Sequence, residues 1–426
     1  MAAPAVEQAE GLLACYGQPA AGADWAEATR QNARARFLAE GAPGRRDEYW
    51  KYTNPALLTG SDVNAAVLPA AETPVFSEVD ALRIVFVDGV YRTDLSDDPS
   101  QEGLEIQTLA EALAADIHWA KDLYGVLETA GQNPVPRPLA ALNTAMAETG
   151  YVIRVTGKPA KPLNFYYRHE SATSDVMLRH LIKVEAGAEF TLLENGPAGA
   201  RLNSVVEVDV ADGGALHHAR AQGRAHDRVA ATHMFARLGR ESVFKSFTLT
   251  MNGRLTRNDC VIEFTGDDAV GHVAGAAIGD DNFHHDDTVF VTHDALNCES
   301  RQVFKKVLKS GARGVFQGKI LVKAGAQKTD GYQISQALLL DDDAEFDAKP
   351  ELEIYADDVA CSHGSTCGAV DETALFYLRS RGVPLAAAQD MMVLAFVDEA
   401  IAEVQEDVIA DDLRSRIAAW LERRSA

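Results

Sequence analysis

GAEFTLLENGPAGARLNSVVEVDVADGGAL, residues 187–216, decides the fold. It carries two short apolar runs, around Phe190–Leu193 and Val205–Val210, each approached through Gly, Ala, Asp or Asn. Its opening, Gly187-Ala188-Glu189-Phe190, is echoed at its close by Gly213-Gly214-Ala215-Leu216. The same turn-then-strand cassette recurs as ESVF at 241, DDAV at 267, GARG at 311 and DDAE at 342, most steps being roughly 26 to 31 residues, a period that marks solenoids or propellers. From about 150 to 360 no helical period survives, and runs such as YVIRV, LIKVE, FTLTM, VIEF, TVFV and KILV read as strands. A sandwich accounts for alternating strands but not for a repeated cassette, and no propeller signature is present. The expected architecture is mainly β: a parallel β-helix (β-solenoid) over 146–368.

Outward from that core the texture changes. Residues 1–145 read as mainly helical, with DWAEATRQNARARFLAE stopped by GAPG, although LRIVFVDGVYR is a strand–turn–strand. Residues 369–426 are helical again. Asp371 is placed to cap ETALFYLRSR, Gly382 ends it, and Pro384 opens the next helix. The last helix carries Ile409, Leu413, Ile417 and Leu421 on one face, a stripe that usually packs on its own domain and less often in a partner.

Composition excludes several classes. Hydrophobic residues at 47% and charged residues at 24% describe an ordered globular chain. A net charge of -23 argues against nucleic acid and against anionic membrane surfaces. The five cysteines, at 15, 260, 298, 361 and 367, form no disulfide framework and read as reduced thiols. The start lacks a basic region ahead of an apolar run, and no stretch reaches the ~18 apolar residues of a membrane span. The expectation is a soluble, cytoplasmic protein. No phosphate loop, dinucleotide-binding glycine motif, nucleophile elbow or HExxH occurs; GVFQGKI has the wrong spacing and lacks the hydroxyl.

Two clusters carry candidate chemistry. DDVACSHGSTCG, residues 357–368, packs Cys361, His363 and Cys367 together, soft or borderline ligands acceptable to Zn or Fe. The spacing alone favours Cys361 and Cys367 as small buried apolar groups at the solenoid's end, whereas His363, between Ser362 and Gly364 in an expected turn, should be exposed. The second cluster, DDNFHHDDTVFVTHDALNCES, holds His284, His285, Asp286, Asp287, His293 and Cys298. Strand parity puts His285 with Asp287 on one face and His284 with Asp286 on the other, so solvated or structurally hydrogen-bonded roles are favoured there over a single site. On residues alone, an independent zinc protein built on Cys361, His363 and Cys367 and a solenoid carbohydrate-active enzyme both stay open.

The runs KPELEIYADDVACSHGSTCGAVDETALFYLRSRGV, HHDDTVFVTHDALNCESRQVFKKVLKSGARGVFQGKILVKAGAQKTDGYQ and RRDEYWKYTNPALL closely resemble the SufB/SufD family of iron–sulfur cluster assembly proteins, the SufD branch fitting better in length and in KPELEIYADDVACSHG. The resemblance implies a right-handed parallel β-helix flanked by helical regions. It implies a non-catalytic scaffold subunit of a SufB–SufC–SufD complex, with ATP bound by the partner SufC, in keeping with the missing phosphate loop. It implies that a SufB-like subunit meets the β-helix and that SufC docks on the C-terminal helices, including the one from Pro384 and the Ile409–Leu421 stripe. Nascent clusters are then placed at the SufB interface, where the histidine of the CSHG motif, here His363, meets SufB's cysteine, with Cys361 a weaker companion. Iron and sulfur pass transiently; no cofactor is expected to stay on the lone chain. One departure matters: where SufB-type chains carry a cluster-holding cysteine in the segment matching TDGYQISQALLL, Ser335 stands here, and a hydroxyl is a poor iron ligand that carries no persulfide. A homodimer through an unpaired edge strand is a further expectation for the isolated chain.

Overall fold

A computed structural model describes residues 3–68, 74–223 and 226–425. From Tyr151 to Gly368 successive strands alternate between two sheets, a 10-stranded sheet A and a 9-stranded sheet B, and from Asp175 onward each strand pairs in parallel with the one two elements earlier. Register is kept across rungs: Val243 lies beside Ala215 on one side and Val270 on the other. This is the parallel β-solenoid expected from the cassette.

Strand alternation builds its core. Phe190, Phe244, Phe264, Phe304 and Phe316 point inward and are buried in one cluster running along the solenoid, each such burial contributing roughly 1.5–3 kcal/mol. The intervening residues face outward. On sheet A they meet the helices Leu385–Ile401 and Asp407–Ser425, with Val397, Ile409, Leu413 and Ile417 sealed against Ala219, Phe247, Leu249 and Ala276. On sheet B, the helix Pro138–Met146 is buried along its whole length between the solenoid and the helix Asp24–Glu40. The terminal helical regions therefore cover opposite sheets.

The cassette has a backbone cause. At one corner six successive rungs each carry one residue in the left-handed region: Gly187 (φ 71°), Gly213 (66°), Glu241 (54°), Asp268 (60°), Asn297 (54°) and Lys328 (60°). Their N–H groups form a ladder along the corner, Gly187 donating to Asp212 O, Gly213 to Arg240 O, Glu241 to Asp267 O and Asp268 to Leu296 O. Gly, Asn and Asp tolerate that geometry best. GARG and DDAE do not belong to this series. Gly311 (φ 75°) lies in the turn between Leu308 and Arg313, at the opposite corner. Reading both corners as one rhythm produced the irregular step between 267 and 311.

The two ends of the solenoid differ. At the N-terminal end, sheet A closes with Leu82–Val87 and the antiparallel strand Val90–Tyr91, and sheet B with Leu104–Thr108 antiparallel to Tyr151–Val155. Strands within residues 1–145 thus extend both sheets. At the C-terminal end, Glu345–Ile354 and Ala360–Gly368 stand last in their sheets, each with one free edge.

Candidate functional site at the open end of the solenoid

The CSHG segment is strand rather than the turn expected from Ser362 and Gly364: Ala360–Gly368 pairs along its length with Asp330–Leu339. Its side-chain direction follows from register. Gly331, Gln333, Ser335 and Ala337 are buried on the inward face, and their neighbours are Cys361, His363, Ser365 and Cys367. These four therefore line the inner wall of the last rung, with no strand among the described residues stacked beyond them. His363 is exposed, as expected, and Cys361 is half-buried. A Cβ on Gly331 would lie 3.2 Å from Cys361 Sγ, so the glycine makes room for the thiol. Burial raises the Cys361 pKa, as it does that of exposed Cys367, leaving both protonated at neutral pH.

The facing wall is apolar. In Glu345–Ile354 the inward residues are Phe346, Ala348, Pro350, Leu352 and Ile354, while Glu345, Asp347, Lys349, Glu351 and Glu353 face out. The open end is thus a slot between an apolar strand and a strand bearing thiols and an imidazole, rimmed by two free backbone edges. Sequence reasoning took only the cysteines and histidine from this region. The alternation in EFDAKPELEI was the signal for the second wall.

The strand geometry removes one reading. Six residue steps of about 3.3 Å put Cys361 and Cys367 about 20 Å apart, while zinc ligands sit ~2.0–2.3 Å from one ion. Cys361, His363 and Cys367 cannot share a closed zinc site. Ser335 is fully buried and hydrogen-bonded to Ser365 inside the last rungs.

The second histidine cluster is structural, split by parity as expected. Inside, Lys306 Nζ donates to Asp287 Oδ2 at 2.6 Å and meets His285 Nδ1 at 2.8 Å. Outside, Asp286 accepts from Arg257 Nη1 at 2.6 Å, and His284 Nε2 is 2.9 Å from Thr53 Oγ1. His293 stacks on Phe264 with centroids 4.4 Å apart, and Cys298 is buried in a corner. His284, His285, Asp286, Asp287 and His293 are thus spent on packing, none of them exposed. The RRDEYWKYTNPALL motif finds its place here too: Tyr49 O accepts from Arg257 at 2.8 Å and Gln317 at 3.1 Å, and the Arg257 guanidinium lies 4.2 Å from the Trp50 ring. It latches the N-terminal region onto sheet B.

A second exposed feature lies on the C-terminal helices. Phe376, Tyr377, Leu385 and Met391 on Glu372–Ser380 and Leu385–Ile401 are 73%, 57%, 45% and 51% exposed. The Ile409–Leu421 stripe, assigned a partner role by the resemblance, is instead buried against sheet A.

Two family models match in sequence order: the SufBD protein N-terminal region over residues 20–160, and the SUF system FeS cluster assembly, SufBD core domain over residues 167–396. The chain belongs to the SufBD family of iron–sulfur cluster assembly proteins. Among its relatives, the iron–sulfur cluster assembly protein SufD of Escherichia coli is 29% identical, over 93% of this chain and 94% of that protein. SufD of Bacillus subtilis is 26% identical, over 67% of this chain and 66% of that protein. The chloroplastic protein ABCI7 of Arabidopsis thaliana is 24% identical, over 92% and 85% respectively. The core match contains the open end and its CSHG strand. Among the described residues no helix is long and apolar enough to cross a membrane.

Proposed function

We propose that this SufBD-family chain is a non-catalytic scaffold subunit of a cytoplasmic SUF complex, and that its open end is the face presented to a SufB-type subunit. The observation that carries this is the pair of free edges, Glu345–Ile354 and Ala360–Gly368, flanking an inner wall that holds His363. Free edges pair with strands of another chain. Docking there delivers the imidazole to a partner's thiol.

The chemistry follows from the ligands. A neutral imidazole ligates iron directly. Cys361 is half-buried and its pKa is raised by burial, so it ligates only when metal displaces its proton; it is the weaker companion. Ser335, a hydroxyl sealed inside the last rungs, carries no sulfur. Iron and sulfide are cargo, held between subunits.

The Phe376/Tyr377/Met391 face is the dock for the ATPase subunit that binds ATP. The helices bearing it pack on sheet A, so closure of paired ATPase subunits pulls on the solenoid and rearranges the open end. Without partners, the same free edges pair two copies of this chain. Co-expression with SufB- and SufC-type subunits followed by native mass measurement tests the assembly, and cluster yield on that complex with His363→Ala tests the site. Unchanged yield removes His363 from the mechanism.

A further inference from the structure

One polar cluster inside the solenoid belongs to neither the open end nor the helical face. Arg228, just before the strand Val229–Leu238, is fully buried, and its Nε and Nη1 have no hydrogen-bond partner among the described residues. Its Nη2 is 3.5 Å from Thr256 Oγ1, the outer limit of a hydrogen bond. Arg228 lines a small cavity together with Arg220, Glu194, Gln222 and Ser204. The space open to the centre of a water-sized sphere is about 10 Å³, room for a single small occupant. Ser204 Oγ also lacks a partner among the described residues.

Charge decides what that occupant is. Glu194 accepts from Tyr167 Oη at 2.6 Å, from His218 Nε2 at 2.9 Å and from Arg220. Burial works to raise its pKa, but the Arg220 charge and the His218 hydrogen bond hold it well below the usual range, so it is anionic and already consumed. Burial drives His180 down to about 4 and lowers His218, so both rings are neutral. The next inward pair, Asp287 and Lys306 at 2.6 Å, balances itself. Among the described lining residues, two guanidiniums against one carboxylate leave one positive charge, located on Arg228, whose pKa burial lowers to about 10. A water satisfies an N–H there but leaves the charge; an uncompensated buried charge is strongly destabilising.

We propose that this cavity binds one monovalent inorganic anion of halide size, held by the Arg228 guanidinium and the Ser204 hydroxyl. The bound anion neutralises the middle rungs and stabilises them by mass action. The site is independent of the open end, so its failure leaves the proposed function untouched.

The test uses the full chain. Crystals of the wild type grown with bromide are expected to show an anomalous peak beside Arg228, and the thermal midpoint is expected to rise with the logarithm of chloride concentration at ionic strength held fixed with gluconate. In Arg228→Met that chloride dependence vanishes. Should this variant not fold, the wild-type bromide map still decides. No bromide peak in the cavity, or a midpoint indifferent to chloride, overturns the proposal and assigns the space to water.

Discussion

Acid is the perturbation against which the solenoid interior is weakest. Burial drives the pKa of His180, His233 and His293 down to about 4 and that of His285 to about 3, against roughly 6.5 in an unfolded chain. A histidine depressed in this way is neutral when folded, so on acidification the unfolded chain takes up the proton first. Its contribution is intact above about pH 6.5 and is lost from there down to the folded value. At pH 5 the loss is about 2 kcal/mol per histidine, and placing the folded value one unit higher changes that by less than about 0.5 kcal/mol. Four such residues sum to about 8 kcal/mol, comparable with the ~5–15 kcal/mol that holds a typical protein folded. Asp259 and Asp287, whose pKa values are lowered, act in the same direction only below about pH 4, so a fall between pH 6.5 and 5 belongs to the histidines. Urea titrations read by tryptophan fluorescence and far-UV circular dichroism are expected to show stability constant above about pH 7 and collapsing toward pH 5. His293→Gln, which keeps a partner for Ser300 (now 2.9 Å from the ring) but cannot titrate, is expected to shed about a quarter of that loss. Stability that stays flat from pH 7.5 to 5, or a variant with the wild-type pH dependence, refutes the reasoning.

Three further outcomes are expected. Asp287→Ala leaves Lys306, 1% exposed, beside a neutral imidazole and costs about 3–5 kcal/mol in denaturant unfolding, most of which Lys306→Met added to it restores. Leu413→Ala, in the stripe sealed against sheet A, costs about 2–5 kcal/mol; a loss near zero would return that stripe to a partner. Phe376→Ser, on a side chain 73% exposed, changes stability by less than about 0.5 kcal/mol yet abolishes co-purification with the ATPase subunit.

The solenoid was legible because its cause is local. A left-handed residue at six successive turns of one corner leaves mostly Gly, Asp and Asn in the sequence at near-regular steps, and inward alternation leaves apolar residues between them. The pattern blurred where Lys328 and Glu241 take the same conformation, since neither residue type advertises it. Parity was equally readable in His284–Asp287, because a strand leaves no other choice. What sequence could not supply was the third dimension. The Ile409–Leu421 stripe has the same spacing whether it meets sheet A or another protein, and only the apolar outward face of sheet A, built from rungs far apart in the chain, settles which. His363 is exposed not because Ser362 and Gly364 make a turn but because it lies in a strand that stands last in its sheet. The Arg228 cavity left no trace, since its walls come from Glu194, Ser204 and Arg220 on separate strands.

A solenoid with one closed and one open end poses a problem that the sequence of the last rung addresses. Stacked rungs satisfy each other's backbone groups, so a terminal strand leaves a row of donors and acceptors and an apolar inner wall unpaired. The N-terminal end solves this with antiparallel strands. The C-terminal end instead places Pro350, which offers no N–H, in one terminal strand with four acidic residues on its outer face, devices that discourage indiscriminate pairing. The other terminal strand, Ala360–Gly368, has no proline and no charged residue except His363 when protonated. One edge is thus guarded and its neighbour is left plain, and the plain one holds the thiols and the imidazole. That asymmetry fits a docking edge kept for one specific strand better than a stability defect. Introducing lysine at Ser362 and Thr366, outward-facing positions of the plain edge, should therefore leave the lone chain folded while preventing assembly with a SufB-type subunit; an intact complex would show that docking does not use this edge.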